Sequence, residues 1–265
     1  MIKKIKLFVN NNKESIRFSK KLELELINNG FIIDNDNYDL AIAIGGDGSF
    51  LRMIKQNNFD SDVYYIGINT GTLGFLQEVG KKDYKKFISE LANEEYKIEH
   101  IGVQETVIEH NNNTSRFLSL NEIVIRDKDL NATKLTVKIN EDLLEKFTGD
   151  GLLIATSTGS TAYNLSFGGS IVYNIFNTLQ ITPIAPINSK VYRTLLNSVI
   201  IPSNMEVTVI PENNKKDLLV TIDGENNFYN NVNLIKTSIQ NRTIKCLRLK
   251  HYNFPEKINE KLLTD

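Results

Sequence analysis

The sequence predicts an α/β domain followed by a second, all-β sandwich-like domain. Three observations carry this: apolar runs alternating with helical patterns in the first hundred residues, many short strand-like runs separated by turn-rich segments thereafter, and glycine turns directly after buried-looking strands. Strand and helix in alternation with short connections imply a parallel sheet packed by helices. Closely spaced short strands imply layered antiparallel sheet.

In order, Ile5–Val9 reads as a buried strand. Lys13–Asn29 reads as a helix with Ile16, Lys20 and Ile27 at helical spacing, and Gly30 stands where helices commonly end. Leu40–Ile44 is a second strand running straight into GGDGSF, after which Leu51, Met53 and Ile54 resume a helix. Val63–Ile68 is a third strand ending in NTGTLGF, and Asp83–Asn93 a third helix with Asp83 as its cap. Beyond residue 99 the strand-like runs are Val103–Glu109, Phe117–Arg126, Leu135–Asn140, Leu152–Thr156, Val199–Ile201, Val207–Ile210, Leu218–Ile222 and Thr243–Leu249. The domains are accordingly set at 1–99 and 100–239.

The composition bounds the function. The chain has 265 residues, is 41% hydrophobic and 24% charged, and carries 31 Lys+Arg against 32 Asp+Glu for a net charge of −1. A chain of this balance builds a core and offers no bulk attraction for nucleic acid or anionic membrane. Cys246 is the single cysteine, which excludes an internal disulfide and a cysteine-based zinc site and fits a reducing cytoplasm. No run approaches the roughly 20 apolar residues of a membrane span. His100, His110 and His251 lack ligand spacing, so no protein-held metal is expected.

From Gly151 to Ser189 no residue is charged, over 39 positions. Such a stretch is either buried core or interface, or a neutral hydroxyl-rich wall that holds a polar ligand; the two readings are compatible. Gly45, Gly46, Asp47, Gly48 and Ser49 sit at the carboxyl end of a strand, where open α/β sheets bind ligands. Glycines there admit phosphate to backbone amides at a helix start. Asp47 would repel an anion, and suits instead a metal ligand or the acceptor of a substrate hydroxyl proton; the plain alternative is a tight turn. Neither a P-loop nor a G-x-G-x-x-G fingerprint is present, since position 51 is Leu. Thr158, Gly159, Ser160, Thr161, Ala162, Tyr163, Asn164 and Ser166, followed by Gly168 and Gly169, favour a ligand loop over a merely capped helix. Asn121 and Glu122 beside an apolar run read on their own as a surface turn, or, if buried, as polar groups that need partners, and Asp150 between two glycines reads as a turn residue or polar anchor.

Together, GGDGSF at 45–50, LNE at 120–122, GDG at 149–151 and TGSTAYNLSFGG at 158–169 resemble the NAD kinase family in order and spacing, over about residues 1–250. GGDG is shared with lipid kinases and phosphofructokinases; the TGSTAY block discriminates. The resemblance implies transfer of the ATP γ-phosphate to the 2′-hydroxyl of the NAD adenosine ribose, giving NADP, with Mg²⁺ or another divalent cation carried on ATP. It implies an α/β domain and a β-sandwich domain whose C-terminal tail, 240–265, returns to the first. By motif, Asp47 would be the general base with Gly48 beside the NAD, and Gly45, Gly46 and Ser49 would face phosphate. Asn121 and Glu122 would hold ribose or adenine, Asp150 the nicotinamide end, and Thr158 with Thr161, Ala162, Tyr163, Asn164 and Ser166 the adenosine. Ala185 resembles a position reaching NAD across a subunit interface in a homodimer or homotetramer. Thr148, Ser157, Asn188 and Glu225 depart from residues common in the family. The competing readings are a non-catalytic dinucleotide sensor and a lipid kinase sharing GGDG; the latter lacks any basic or amphipathic membrane-seeking stretch here.

Overall fold

Apolar runs buried on both faces set the first unit. The computed structural model describes residues 2–71, 74–212 and 216–264, and resolves into two units, 1–101 with 243–265, and 102–242. The chain runs β1 (Lys4–Val9), α1 (Lys13–Asn28), β2 (Ile32–Ile33), β3 (Leu40–Ile44), α2 (Asp47–Gln56), β4 (Tyr64–Asn69), β5 (Val79–Gly80) and α3 (Tyr84–Ala92). β1 pairs in parallel with β2 and β3, β3 with β4, and β4 with β5. All five residues of β3 are buried, as expected of a strand covered on both faces.

β6 (Tyr96–His110) leaves the first unit and continues into the second. There follow β7 (Asn113–Ser119), β8 (Glu122–Asp127), β9 (Thr133–Ile139), β10 (Asp142–Thr156), a 3-10 turn (Thr158–Thr161), α4 (Tyr163–Ser166), β11 (Thr178–Pro186), β12 (Val199–Pro202), β13 (Val207–Pro211) and β14 (Lys216–Ile222). β15 (Glu225–Leu249) carries the chain back, its Lys245 and Cys246 pairing in parallel with β4, and α5 (Phe254–Leu262) closes the first unit. Leu247 and Leu249 join Ile5, Leu22, Leu26 and Ile42 in one core.

The second unit is β-rich. β10 meets β11 along one edge, and β8 and β9 end to end along the other, because Gly149 pairs with both Pro186 and Thr133 and Gly151 with both Ile184 and Arg126. β14 pairs with β8 and β13 with β9, and both pair with β15. Residues from strands far apart in this ladder, Ile201 of β12 and Ile108 of β6 among them, share one core with Ile123, Val137, Leu152 and Val220. The sheet therefore curls around its own side chains. β8, β10 and β11 also bury Val124, Leu153, Ala155 and Ile184 on their other face, with Phe167 against them. That face lies under the segment carrying TGSTAY.

Several expectations need correction. On α1 the buried residues are Ser15, Phe18, Leu22 and Leu26, whereas Ile16 and Ile27 face solvent. Asp83 occupies the cap of α3 without a side-chain hydrogen bond there. The expected strand 117–126 is two strands interrupted at Leu120–Asn121, and Asp150 lies inside the extended β10 rather than in a turn. β11 falls within the uncharged stretch and was not anticipated. Part of ENNKK, residues 213–215, lies outside the described residues.

Candidate active site

In the first unit, β3 delivers the chain to Gly45 and Gly46, and α2 begins at Asp47 with Gly46 as its cap. The Asp47 carboxylate, half-buried, accepts hydrogen bonds from the amides of Phe75 (2.8 Å) and Leu76 (3.1 Å). Gly74 makes this seat possible: a Cβ there would lie 2.0 Å from Asp47 Oδ1 and 2.2 Å from its Cγ. The Gln77 amide nitrogen donates to the Gly46 carbonyl at 2.8 Å, tying the two loops together. Gly48 is exposed on the first turn of α2. Ser49 is buried and its hydroxyl accepts from Asn10 at 2.9 Å, so it points into the fold rather than to an exposed phosphate cradle.

Behind this loop lies a buried ionic network. Arg248 pairs with Glu99 (2.6 Å) and Glu78 (3.2 Å), and the Leu249 amide donates to Glu78 at 3.0 Å. Burial opposes the Arg248 charge, but the two carboxylates hold its guanidinium protonated. Lys257 of α5 donates to the Gln77 carbonyl at 2.6 Å; burial, reinforced by Arg248, pulls its ammonium down to about 8. Cys246 is fully buried, and burial pushes its thiol up to about 12, a core side chain rather than a nucleophile.

In the second unit the other candidates gather round the break between β7 and β8. Asp223 accepts from the amides of Leu120 (2.7 Å), Asn121 (2.8 Å) and Glu122 (3.1 Å). The hydroxyl of Thr156 donates to Leu120 O and accepts from the Gly159 amide, and the Thr156 amide donates to Asn121 O. Gly159 packs directly on this corner, where a Cβ would fall 2.0 Å from Asn121 O. Glu122 is buried and accepts from the Tyr163 amide; desolvation, with the Asp223 charge beside it, pushes its carboxyl up to about 8. Among the described residues, Asn121 Oδ1 and Glu122 Oε2 are buried without a hydrogen-bond partner.

This arrangement brings Asn121 and Glu122 together with the 158–166 segment. Thr158 is buried, Thr161 and Ala162 half-buried, and Tyr163 and Ser166 exposed. Arg126 donates to the Tyr163 hydroxyl at 3.2 Å, and its guanidinium lies over the rings of Tyr163 and Phe167. Asn164 is different: its amide nitrogen donates to Gln180 Oε1 (2.8 Å) and its Oδ1 accepts from Thr182 (2.6 Å), both inside the fold. Asp150 is exposed at the middle of β10, and Ala185 is exposed on β11 with φ +42°, a conformation that costs a non-glycine residue about 1–2 kcal/mol.

Both motif clusters coincide with a known family. Residues 5–96 match the ATP-NAD kinase N-terminal domain and residues 120–241 the ATP-NAD kinase C-terminal domain. An NAD kinase of Finegoldia magna is 40% identical over 251 residues, covering 92% of each chain. The chain belongs to the NAD kinase family. A Staphylococcus saprophyticus NAD kinase is 31% identical over 234 residues, 87% of each chain. Among solved structures, yeast NADH kinase complexed with NADH superposes with a TM-score of 0.85 at 21% identity, covering 100% of this chain and 90% of that one. An Archaeoglobus fulgidus NAD kinase in complex with ATP gives 0.75 at 19% identity, covering 94% of each. At these identities the two structures establish the NAD kinase fold.

Sequence reasoning missed several residues in this NAD kinase-family chain: Gly74, Gln77 and Lys257 around Asp47, and Thr156, Asp223 and Arg126 around Asn121–Glu122. NTGTLGF carried the one local signal, since glycines following a strand mark close backbone approach. The others act through contacts between distant stretches of chain.

Proposed function

We propose that this member of the NAD kinase family transfers the γ-phosphate of ATP to the 2′-hydroxyl of the NAD adenosine ribose, yielding NADP, with Asp47 as general base. The observation that carries the base assignment is the seat of Asp47: two amides and the missing Cβ of Gly74 fix one carboxylate at the head of a helix. Phosphoryl transfer passes through a loose transition state, so orientation of the attacking oxygen counts for most, and a base adds about 10²–10⁴-fold. Asp47 takes the hydroxyl proton as the ribose oxygen bonds to phosphorus and the bond to ADP breaks; the proton then passes to solvent.

The second unit holds the acceptor. The unpartnered buried oxygens of Asn121 and Glu122 suit ribose hydroxyls or the adenine amino group, Asn121 Oδ1 as an acceptor and the protonated Glu122 carboxyl as a donor to a ribose hydroxyl. Thr158, Thr161, Ala162, Tyr163 and Ser166 line the adenosine, Asn164 acting indirectly by holding that segment. Asp150 takes the nicotinamide end. Gly46 and Gly48, both exposed, let phosphate and ribose approach the backbone, whereas Gly45 is buried against Ser49 and Asn10 and shapes the turn instead. Among the described residues no three His, Cys, Asp or Glu side chains cluster as cation ligands. As the resemblance to the family implies, a divalent cation would come with the triphosphate and offset phosphate charge.

We read the protein as cytoplasmic and self-associating as a homodimer or homotetramer. No helix among the described residues is long and apolar enough to cross a membrane. Ile175, Phe176, Val191 and Leu196 of the second unit are each more than half exposed, and such apolar side chains support contact with a second copy. Light scattering after size exclusion tests the assembly.

The deciding experiment is NADP formation from NAD, ATP and Mg²⁺, read by an NADP-specific dehydrogenase. Asp47→Asn should bind NAD within a few-fold of the parent and lose at least about 10² in turnover. Full turnover in the variant would remove the base assignment. Absence of product from parent protein that still binds NAD would favour the sensor.

A further inference from the structure

α5 carries one buried cation to the loop that seats Asp47. The helix is set by Asn253, whose side chain accepts from the Glu256 amide, and by Pro255 in its first turn. Its inward residues are Phe254 and Lys257. The ammonium of a lysine that is 6% exposed needs hydrogen-bond acceptors, or burial disfavours it outright. Lys257 Nζ finds the Gln77 carbonyl at 2.6 Å and lies 3.9 Å from Glu78 Oε2, with the Tyr252 ring centroid 5.2 Å away.

Gln77 is the residue through which this contact reaches the base. It directly follows Phe75 and Leu76, whose amides hold both oxygens of Asp47, and its own side chain donates to the carbonyl of Gly46, the residue before Asp47. Glu78, next along, is gripped by Arg248 and by the Leu249 amide. In this network Arg248 binds carboxylates, whereas Lys257 binds the loop backbone itself. Without that donor the Gln77 carbonyl loses its fixed partner, while Glu78 keeps its pairing to Arg248.

We propose that Lys257 is a positioning residue for the phosphoryl-transfer base: from the C-terminal helix it fixes the Gln77 carbonyl, and so the Phe75–Leu76 amides that orient Asp47. The inference rests on Asp47 being that base. Small displacements of a reacting group are costly to the rate and nearly neutral to binding of a substrate held elsewhere. Lys257 is thus expected to act on turnover and not on affinity.

The test is steady-state kinetics of Lys257→Met, Asp47→Asn and the double variant, with NAD and MgATP varied in turn and folding followed by far-UV circular dichroism. Lys257→Met should lower kcat about tenfold with both KM values within about twofold. In the Asp47→Asn background the same change should alter the residual rate by less than about twofold, because a group acting through Asp47 has nothing left to orient. An unchanged kcat, a loss confined to KM, or an undiminished tenfold loss in the double variant would overturn the proposal. Parental turnover in Asp47→Asn would instead overturn the base reading on which it rests. Should Lys257→Met fail to fold, Lys257→Gln enters the same comparisons with the same expectations.

Discussion

Asp223 accepts the amide of Glu122 at 3.1 Å, and its charge adds to burial in pushing the Glu122 carboxyl up to about 8. Two carboxyl groups thus share one corner, the half-buried one engaged by three amides and the buried one kept neutral across much of the usable pH range.

A stability consequence follows from the sign of that shift. The unfolded chain deprotonates Glu122 near 4.5, while the folded chain holds its proton until about 8. Between these values the folded state binds more protons, so stability falls as pH rises through the window. Glu122→Gln removes the titration while keeping shape. Its urea midpoint relative to the parent should therefore climb from pH 4.5 to pH 8.5. A constant offset across that range would contradict the buried neutral carboxyl.

Gly74→Ala should act on chemistry more than on folding. The new Cβ would sit 2.0 Å from one Asp47 oxygen and 2.4 Å from the other, so the carboxylate must leave its amides. Displacement of a base by about 1 Å costs on the order of 10²-fold in rate. Turnover should fall by about that factor with the NAD dissociation constant held within a few-fold. Titration calorimetry beside the coupled assay separates the two.

How far the fold was readable depended on whether one stretch of chain sufficed. β3 shows the bounds expected of it because five apolar residues in a row fit a strand buried on both faces. On α1 the sequence offers competing apolar stripes, Ile16 and Ile27 against Phe18, Leu22 and Leu26; helical period alone does not choose between them, and packing on the sheet took the second. β11 carries no alternation because residues 179–184 are buried on both faces. The break at Leu120–Asn121 is invisible locally, since Asp223, a hundred residues away, takes the amides that a continuous ladder would use. The motifs around Asp47, Asn121 and Thr158 stood out as short clusters of unusual chemistry. Lys257 did not, as its role comes from a contact with Gln77, 180 positions away in the sequence.

Asp223→Ala tests whether that corner is built by the carboxylate. The substitution strips a charged acceptor from the amides of Leu120, Asn121 and Glu122. Hydrogen bonds to a charged group contribute about 1.5–3 kcal/mol each, though water relieves part of the loss at a half-buried site. The variant should lose about 2–3 kcal/mol in urea unfolding. KM for NAD should rise as Asn121 and Glu122 lose their frame, while kcat at saturation changes less. A fall in kcat at unchanged KM would place Asp223 in the reaction rather than in the frame.

Asn164 separates scaffold from ligand contact within the TGSTAY segment. Its side chain is fully buried, and both polar atoms are taken by Gln180, Ser160 and Thr182. Gly169 leaves it room, since a Cβ there would stand 2.2 Å from its amide nitrogen. Asn164→Leu keeps the branched skeleton and strands the partners: Gln180 Oε1 loses a donor and the Thr182 hydroxyl an acceptor. Each stranded buried group costs about 1–3 kcal/mol, so the variant should be destabilised by about 2–5 kcal/mol. The folded fraction at low temperature should still bind NAD, more weakly by less than tenfold, because the residue supports the backbone of Tyr163 and Ala162 without reaching substrate. Loss of binding with unaltered unfolding would instead make Asn164 a direct contact, which its hydrogen bonds in this fold argue against.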